Sequence, residues 1–196
     1  MPKEFKIYVN QLTSMERGML FCLPSFIGQV VAQIDGIMDP YEQGRMMDMI
    51  TCWDKIDGDF EKLMQAHSGT RAQSAQRIKG TIQSDADQEG FEGMITILEE
   101  FAAIIRKMPN TLPAMEEQRR SAIINGRLNG EIPVDLRSRM LQYVFDICME
   151  VAAQTGGAKK ISSKEQAIIE MIYDSFGMAQ EPSLNLPWSR ADESPW

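Results

Sequence analysis

One apolar stripe constrains this chain more than any other feature. Phe91, Met94, Ile95, Leu98, Phe101, Ala102, Ile105 and Met108 recur at steps of three and four residues. That spacing puts them on one face of a helix and on both faces of a strand. A helix with such a face must bury it against other elements, and the rest of the sequence offers helices to do so. Pro133 opens a segment with Leu136, Met140, Tyr143, Val144, Ile147 and Val151 on one side, ended by Gly156-Gly157. Ser162-Ser-Lys-Glu165 reads as a capping box before Ile168, Met171, Ile172 and Phe176, with Gly177 as the expected stop. Thr13-Ser-Met-Glu16 is a second such box; the helix it opens is expected to stop at Pro24, and a new one to run over residues 25–37. Asp39-Pro40 caps a further segment to about residue 56, a short helix follows over 57–67, and Pro113 opens another that closes at Asn125-Gly126.

Strand signals are nearly absent. Only Phe5, Ile7 and Val9 alternate, and a lone strand has nothing to pair with, so this segment reads as an arm that is extended or pairs with a neighbour. The expected class is therefore all-α, in two packed helical subdomains. Residues 68–90 are rich in Gly, Ser, Thr, Gln and Asp, with some helical potential over 71–78. They suggest a boundary, giving a first subdomain over 1–84 and a second over 85–177. Residues 178–196 carry Pro182, Pro187, Pro195, Trp188 and Trp196 and read as a tail.

Catalytic chemistry finds little support. A single histidine, His67, excludes a zinc site of several histidines. Glu99-Glu100 and Glu116-Glu117 are adjacent on a helix, so their side chains diverge. Gly156-Gly-Ala-Lys-Lys160 lacks the spacing of a phosphate loop. Cys22, Cys52 and Cys148 are odd in number, far apart and set in apolar runs, which suits buried thiols in a reducing compartment better than a disulfide framework or a metal motif. Neither a cofactor nor a metal is expected. No apolar run approaches a membrane span and residue 2 is proline, so an encounter with a membrane is expected at its surface.

Charge is the more informative quantity. The net charge is -8, yet it is unevenly placed. Residues 35–61 hold eight acids, Asp35, Asp39, Glu42 and Asp48 among them, against Arg45 and Lys55. From residue 62 to 79 there are Lys62, Arg71, Arg77 and Lys79 and no acid. Cations recur at Arg106, Lys107, Arg119, Arg120, Arg137 and Arg139. Any one such cluster is ordinary for a solvated helix face. An acidic face and a basic face on one molecule, however, allow copies to dock head to tail. The fifteen methionines are chiefly core filler; Met46, Met47 and Met49 are the ones best placed to pack adaptably at a repeated interface.

Several short segments, taken in order, carry a resemblance. They are Leu23-Pro-Ser25, Trp53-Asp-Lys55, Gly93-Met-Ile-Thr-Ile-Leu98, Pro113-Ala-Met-Glu-Glu117, Gln118-Arg-Arg-Ser-Ala-Ile-Ile-Asn125, Leu128-Asn-Gly130, Gly156-Gly-Ala-Lys159 and Ile172-Tyr-Asp-Ser-Phe-Gly177. Together they resemble the matrix proteins of orthomyxoviruses, with length and acidity closer to the isavirus branch than to influenza. Two departures stand out. Residues 145–150 read Phe-Asp-Ile-Cys-Met-Glu where the family carries a lysine-arginine motif, and the family's cysteine-histidine zinc motif is missing.

The resemblance implies a matrix-like fold and a structural protein that is not an enzyme. Such a protein assembles with copies of itself in a two-dimensional array under the viral envelope, binds anionic lipid and links it to the viral ribonucleoprotein, with RNA as a further partner. It implies residence in the virion, in the host cytoplasm and nucleus, and at the plasma membrane. From charge placement, lipid contact is assigned to Lys62, Arg71, Arg77, Lys79, Arg106, Lys107, Arg119 and Arg120. Self-assembly is assigned to Asp35, Asp39, Glu42 and Asp48 meeting Arg137 and Arg139, with Trp188 and Trp196. The rival expectation is a helical adaptor that holds a partner helix in a methionine-lined groove and ignores membranes.

Overall fold

The computed structural model describes residues 3–33, 44, 60–84, 91–108, 136–152, 161–181 and 184–188. The elements among them are helical, with no strand. In chain order they are α1 (Lys3–Gln11), α2 (Ser14–Gln33), α3 (Phe60–Ala66), α4 (Ser68–Ser84), α5 (Phe91–Arg106), α6 (Leu136–Ala152) and α7 (Ser163–Ser175), then a short 3-10 turn at Met178–Gln180. The all-α expectation holds. Of the helix expected over 39–56 only Gly44 is described, and it is helical; the helix expected over 113–126 and the stop at Gly156-Gly157 lie outside the described residues.

The expected extended arm is instead α1. Phe5, Tyr8, Val9 and Leu12 are all buried, and Ile7 is 57% exposed. The apparent alternation of Phe5, Ile7 and Val9 concealed a helical 5-8-9-12 stripe, which buries four large side chains without needing a neighbouring strand. The Tyr8 hydroxyl donates to the Ile104 carbonyl and ties α1 to α5. Burial, seconded by nearby Glu16, pushes the phenol well above its ordinary range.

α2 begins as the capping box predicts. Thr13 N–H and Oγ1 each donate to Glu16 Oε2 at 2.9 Å, and Glu16 N–H donates to Thr13 Oγ1 at 3.3 Å. It does not stop at Pro24. A proline inside a helix costs about 3 kcal/mol in lost bonding and steric conflict. Ending the helix there would jeopardise the burial of Phe26, Ile27 and Val31 beyond it, each contributing about 1.5–3 kcal/mol. Packing outweighs the local penalty. From Met19 to Phe26, α2 is buried almost all round, as suits a central helix.

α3 and α4 are nearly one rod. His67 N–H donates to Leu63 O at 3.2 Å and Arg71 N–H to His67 O at 3.0 Å, carrying the helical ladder across the joint. The stretch read as a boundary is thus largely helix. Its small residues serve close packing: a Cβ on Gly18 would lie 2.3 Å from Ser74 Oγ and 2.4 Å from the Thr70 carbonyl oxygen. Only hydrogen at Gly18 lets α4 come this near to α2.

Of the expected stripe, α5 buries Met94, Leu98, Phe101, Ala102 and Ile105 and half-buries Ile95, and Met108 just beyond it is buried too; Phe101 lies against Phe26 at 5.3 Å between ring centroids. α6 buries all six residues expected of it. α7 starts at the Ser162–Glu165 capping box, where Ser162 N–H donates to Glu165 Oε2 at 2.6 Å and Glu165 N–H to Ser162 Oγ at 3.2 Å. It stops where Gly177 takes a left-handed φ of 67°. α2 packs on α4, α5, α6 and α7, and the buried side chains from Phe5 to Leu184 form one cluster.

The described part of the tail folds back on this core. Glu181 is buried and accepts from Ser138 Oγ at 3.0 Å; Tyr173 Oη donates to the carbonyl of buried Leu184 at 2.8 Å; the Trp188 indole donates to Glu170 Oε1 at 2.6 Å. These side-chain bonds join residues distant in sequence, which composition does not reveal.

Gly18→Ala is expected to lower unfolding free energy by about 1–3 kcal/mol, because a methyl group there meets backbone. Urea unfolding of the variant measures it. An unchanged midpoint would contradict the close crossing.

Candidate basic surface

α4 carries Arg71, Arg77 and Lys79 and no acid. Its partners sort these cations into different situations. Arg71 and Lys79 line a cleft of about 450 Å³ between α2 and α4, with Cys22, Ser25, Phe26 and Gln29 on the α2 side and Ala75, Ile78 and Ile82 on the α4 side. The spacings 22-25-26-29 and 71-75-78-79-82 are each a single helical stripe, so the cleft lies between two facing stripes. The Cys22 thiol donates to the Arg71 carbonyl at 3.5 Å. Burial raises its pKa, opposed in part by the Arg71 charge.

Lys62 belongs to a second cleft, of about 420 Å³, where α3 meets α1; it is lined by Lys6, Asn10, Lys62, Leu63, Ala66 and His67. His67 stacks on Phe21, with centroids 5.9 Å apart and planes 21° from parallel. Burial, and then the Arg17 charge, hold its imidazole below the ordinary value, which favours the neutral ring. Lys6 and Asn10 were not singled out from the sequence, and His67 was weighed there only as a lone histidine. The helical spacing within α1, read as alternation, was the signal that would have put Lys6 and Asn10 on one helix face; that this face meets Lys62 is tertiary.

Two other expected lipid contacts are engaged inside the molecule. Arg77 grips Glu100 of α5 through both terminal guanidinium nitrogens, at 2.6 and 2.5 Å. This bidentate pair is the principal cause that raises the Arg77 pKa. Lys107 donates to Glu16, the residue that also caps α2. That bond, followed by those from Thr13, lowers the Glu16 carboxyl from 4.5 to about 2. Arg106 is exposed on the last turn of α5, where a cation favours the helix dipole. Arg119 and Arg120 lie outside the described residues.

Of the residues expected in self-assembly, Arg137 and Arg139 are half-buried in the first turn of α6, with their Nε atoms shielded from solvent. Trp188 is half-buried against the chain's own core and bonded to Glu170. Asp35, Asp39, Glu42, Asp48 and Trp196 lie outside the described residues. Among the described residues, no group of His, Cys, Asp or Glu could hold a metal ion, and no helix is long and apolar enough to cross a membrane. The chain matches no known family model, no curated protein and no solved structure.

A double-mutant cycle on Arg77→Ala and Glu100→Ala is expected to give a coupling of about 0.5–1 kcal/mol, since both side chains are about a third exposed and solvent screens them. Additive effects would mean that the pair contributes nothing to stability. For Glu16 the folded pKa is depressed, so its stabilisation is present above 4.5 and is lost as pH falls toward about 2. Thermal melts should therefore show the wild type losing more stability than Glu16→Gln across that window. Parallel losses would contradict the Lys107 bond.

Proposed function

We propose that this chain is a matrix protein of the orthomyxovirus type: a helical structural protein that assembles with its own copies and holds an anionic membrane through the cations of α1, α3 and α4. The observation that carries the reading is the acid-free helix α4, whose Arg71 and Lys79 line one cleft while Lys62 and Lys6 line another. In a chain of net charge -8, such a concentration of cations is the feature an anionic surface would select.

The energetics require an array. Each cation near an anionic leaflet contributes about 1 kcal/mol. Lys6, Lys62, Arg71 and Lys79 together give about 4 kcal/mol, which is binding of about 1 mM for a single copy. Copies linked in a layer convert many weak patches into one tight attachment. The acids of residues 35–61, including Asp35, Asp39, Glu42 and Asp48, would offset the repulsion between anionic copies by meeting cations such as Arg137 and Arg139 of a neighbour. Linking the ribonucleoprotein, with RNA as a direct partner, belongs to the same proposal, as does residence under the envelope. Arg77 and Lys107 contribute less to lipid than their charge suggests, because Glu100 and Glu16 already hold them.

Liposome flotation tests this. Wild type is expected to float with phosphatidylserine vesicles at low salt and to release as ionic strength rises past 0.1 M, where exposed charges are screened within about 10 Å. Lys6, Lys62, Arg71 and Lys79 changed together to Glu should abolish flotation. Undiminished binding by that variant would overturn the assignment. A monomer at high concentration that ignores vesicles would favour a partner-helix adaptor.

A further inference from the structure

We infer that the cleft between α2 and α4 binds one molecule of a single-chain anionic amphiphile, a fatty-acid-type carboxylate. Its chain would lie over Phe26, Ile78 and Ile82 and its headgroup between Arg71 and Lys79. This deepens the membrane reading, since it has the protein take up a lipid singly as well as touch a bilayer.

Three observations select this occupant. The first is size: about 450 Å³ falls within the range of cavities that enclose small molecules. The cleft exists because the two facing stripes carry little bulk where they meet, with Ser25 on α2 and Ala75 on α4. The second is the sorting of chemistry. Phe26 and Ile78 are buried and form an apolar floor, whereas Lys79 is exposed and Arg71 half-buried, so the cations are the more solvent-accessible groups. An amphiphile needs that division, with its chain removed from water and its charge left near it. The third is sign. No acid is among the described lining residues, and α4 holds none at all. A carboxylate headgroup would meet two cations there, in a molecule otherwise anionic. Ser25 and Gln29 offer further hydrogen-bond donors to the headgroup.

The test uses the full chain and a long-chain fluorescent fatty acid kept below its critical micelle concentration. Saturable one-to-one binding is expected, displaced by myristate and not by dodecylamine. Ala75→Phe fills the cleft and should abolish binding. Arg71→Glu with Lys79→Glu should weaken it at least about tenfold. Circular dichroism checks the fold of each variant, and the single change Lys79→Glu, at an exposed position, keeps the test decisive should the bulky variant not fold. No saturable binding, equal displacement by the amine, or full binding by folded Ala75→Phe would each overturn the assignment. So would a dimer that dissociates on Ala75→Phe while binding no fatty acid, which gives the groove to a second copy. A parallel flotation arm separates the two claims. Vesicle binding without fatty-acid binding overturns the cleft assignment and leaves the membrane reading standing. Fatty-acid binding by a chain that does not float supports the cleft and overturns the membrane reading.

Discussion

At Gly18 the backbones of α2 and α4 come so close that a single methyl group would collide with Ser74 and with the Thr70 carbonyl. Much else follows from that contact. It seats the acid-free helix α4 on the buried central helix α2, so that Arg71 and Lys79 end beside the Cys22–Gln29 stripe. It also leaves Arg77 within reach of Glu100 on α5. The interaction is steric and short-ranged, and it fixes the electrostatics above it.

The central helix shows the same ordering of effects. Pro24 opposes helix continuation locally, and the burial of Phe26, Ile27 and Val31 overrides it. At the ends of elements, local chemistry prevails instead. The Thr13–Glu16 and Ser162–Glu165 boxes start their helices where water still competes for the backbone, and a hydrogen-bonding side chain decides.

That contrast explains what could be read from the sequence. Both capping boxes, the α5 stripe, the α6 face and the Gly177 stop depend on residues within a few positions of one another, and they were legible. The run through Pro24, the helix at Ser68–Ser84 and the folded-back segment at Leu184–Trp188 depend on partners distant in the chain. Only the fold supplies those. α1 was legible in principle, since its stripe is local, but period two and period 3.6 overlap at Phe5 and Val9. The candidate surface divides likewise. The cluster of cations from Lys62 to Lys79 was plain in the sequence, whereas the sequence could not tell that Glu100 occupies Arg77 and Glu16 occupies Lys107.

The functional account thus rests on a geometric claim, that the side of the molecule built from α1, α3 and α4 is the one that meets anionic lipid. Photocrosslinking addresses it directly. A phosphatidylserine bearing a photoactivatable acyl chain, mixed into vesicles with the intact protein, marks the residues nearest the bilayer, and mass spectrometry locates the adducts. The account predicts adducts concentrated within Lys3–Gln11 and Phe60–Ser84. Adducts concentrated on Ser163–Ser175, or spread evenly along the chain, would contradict it.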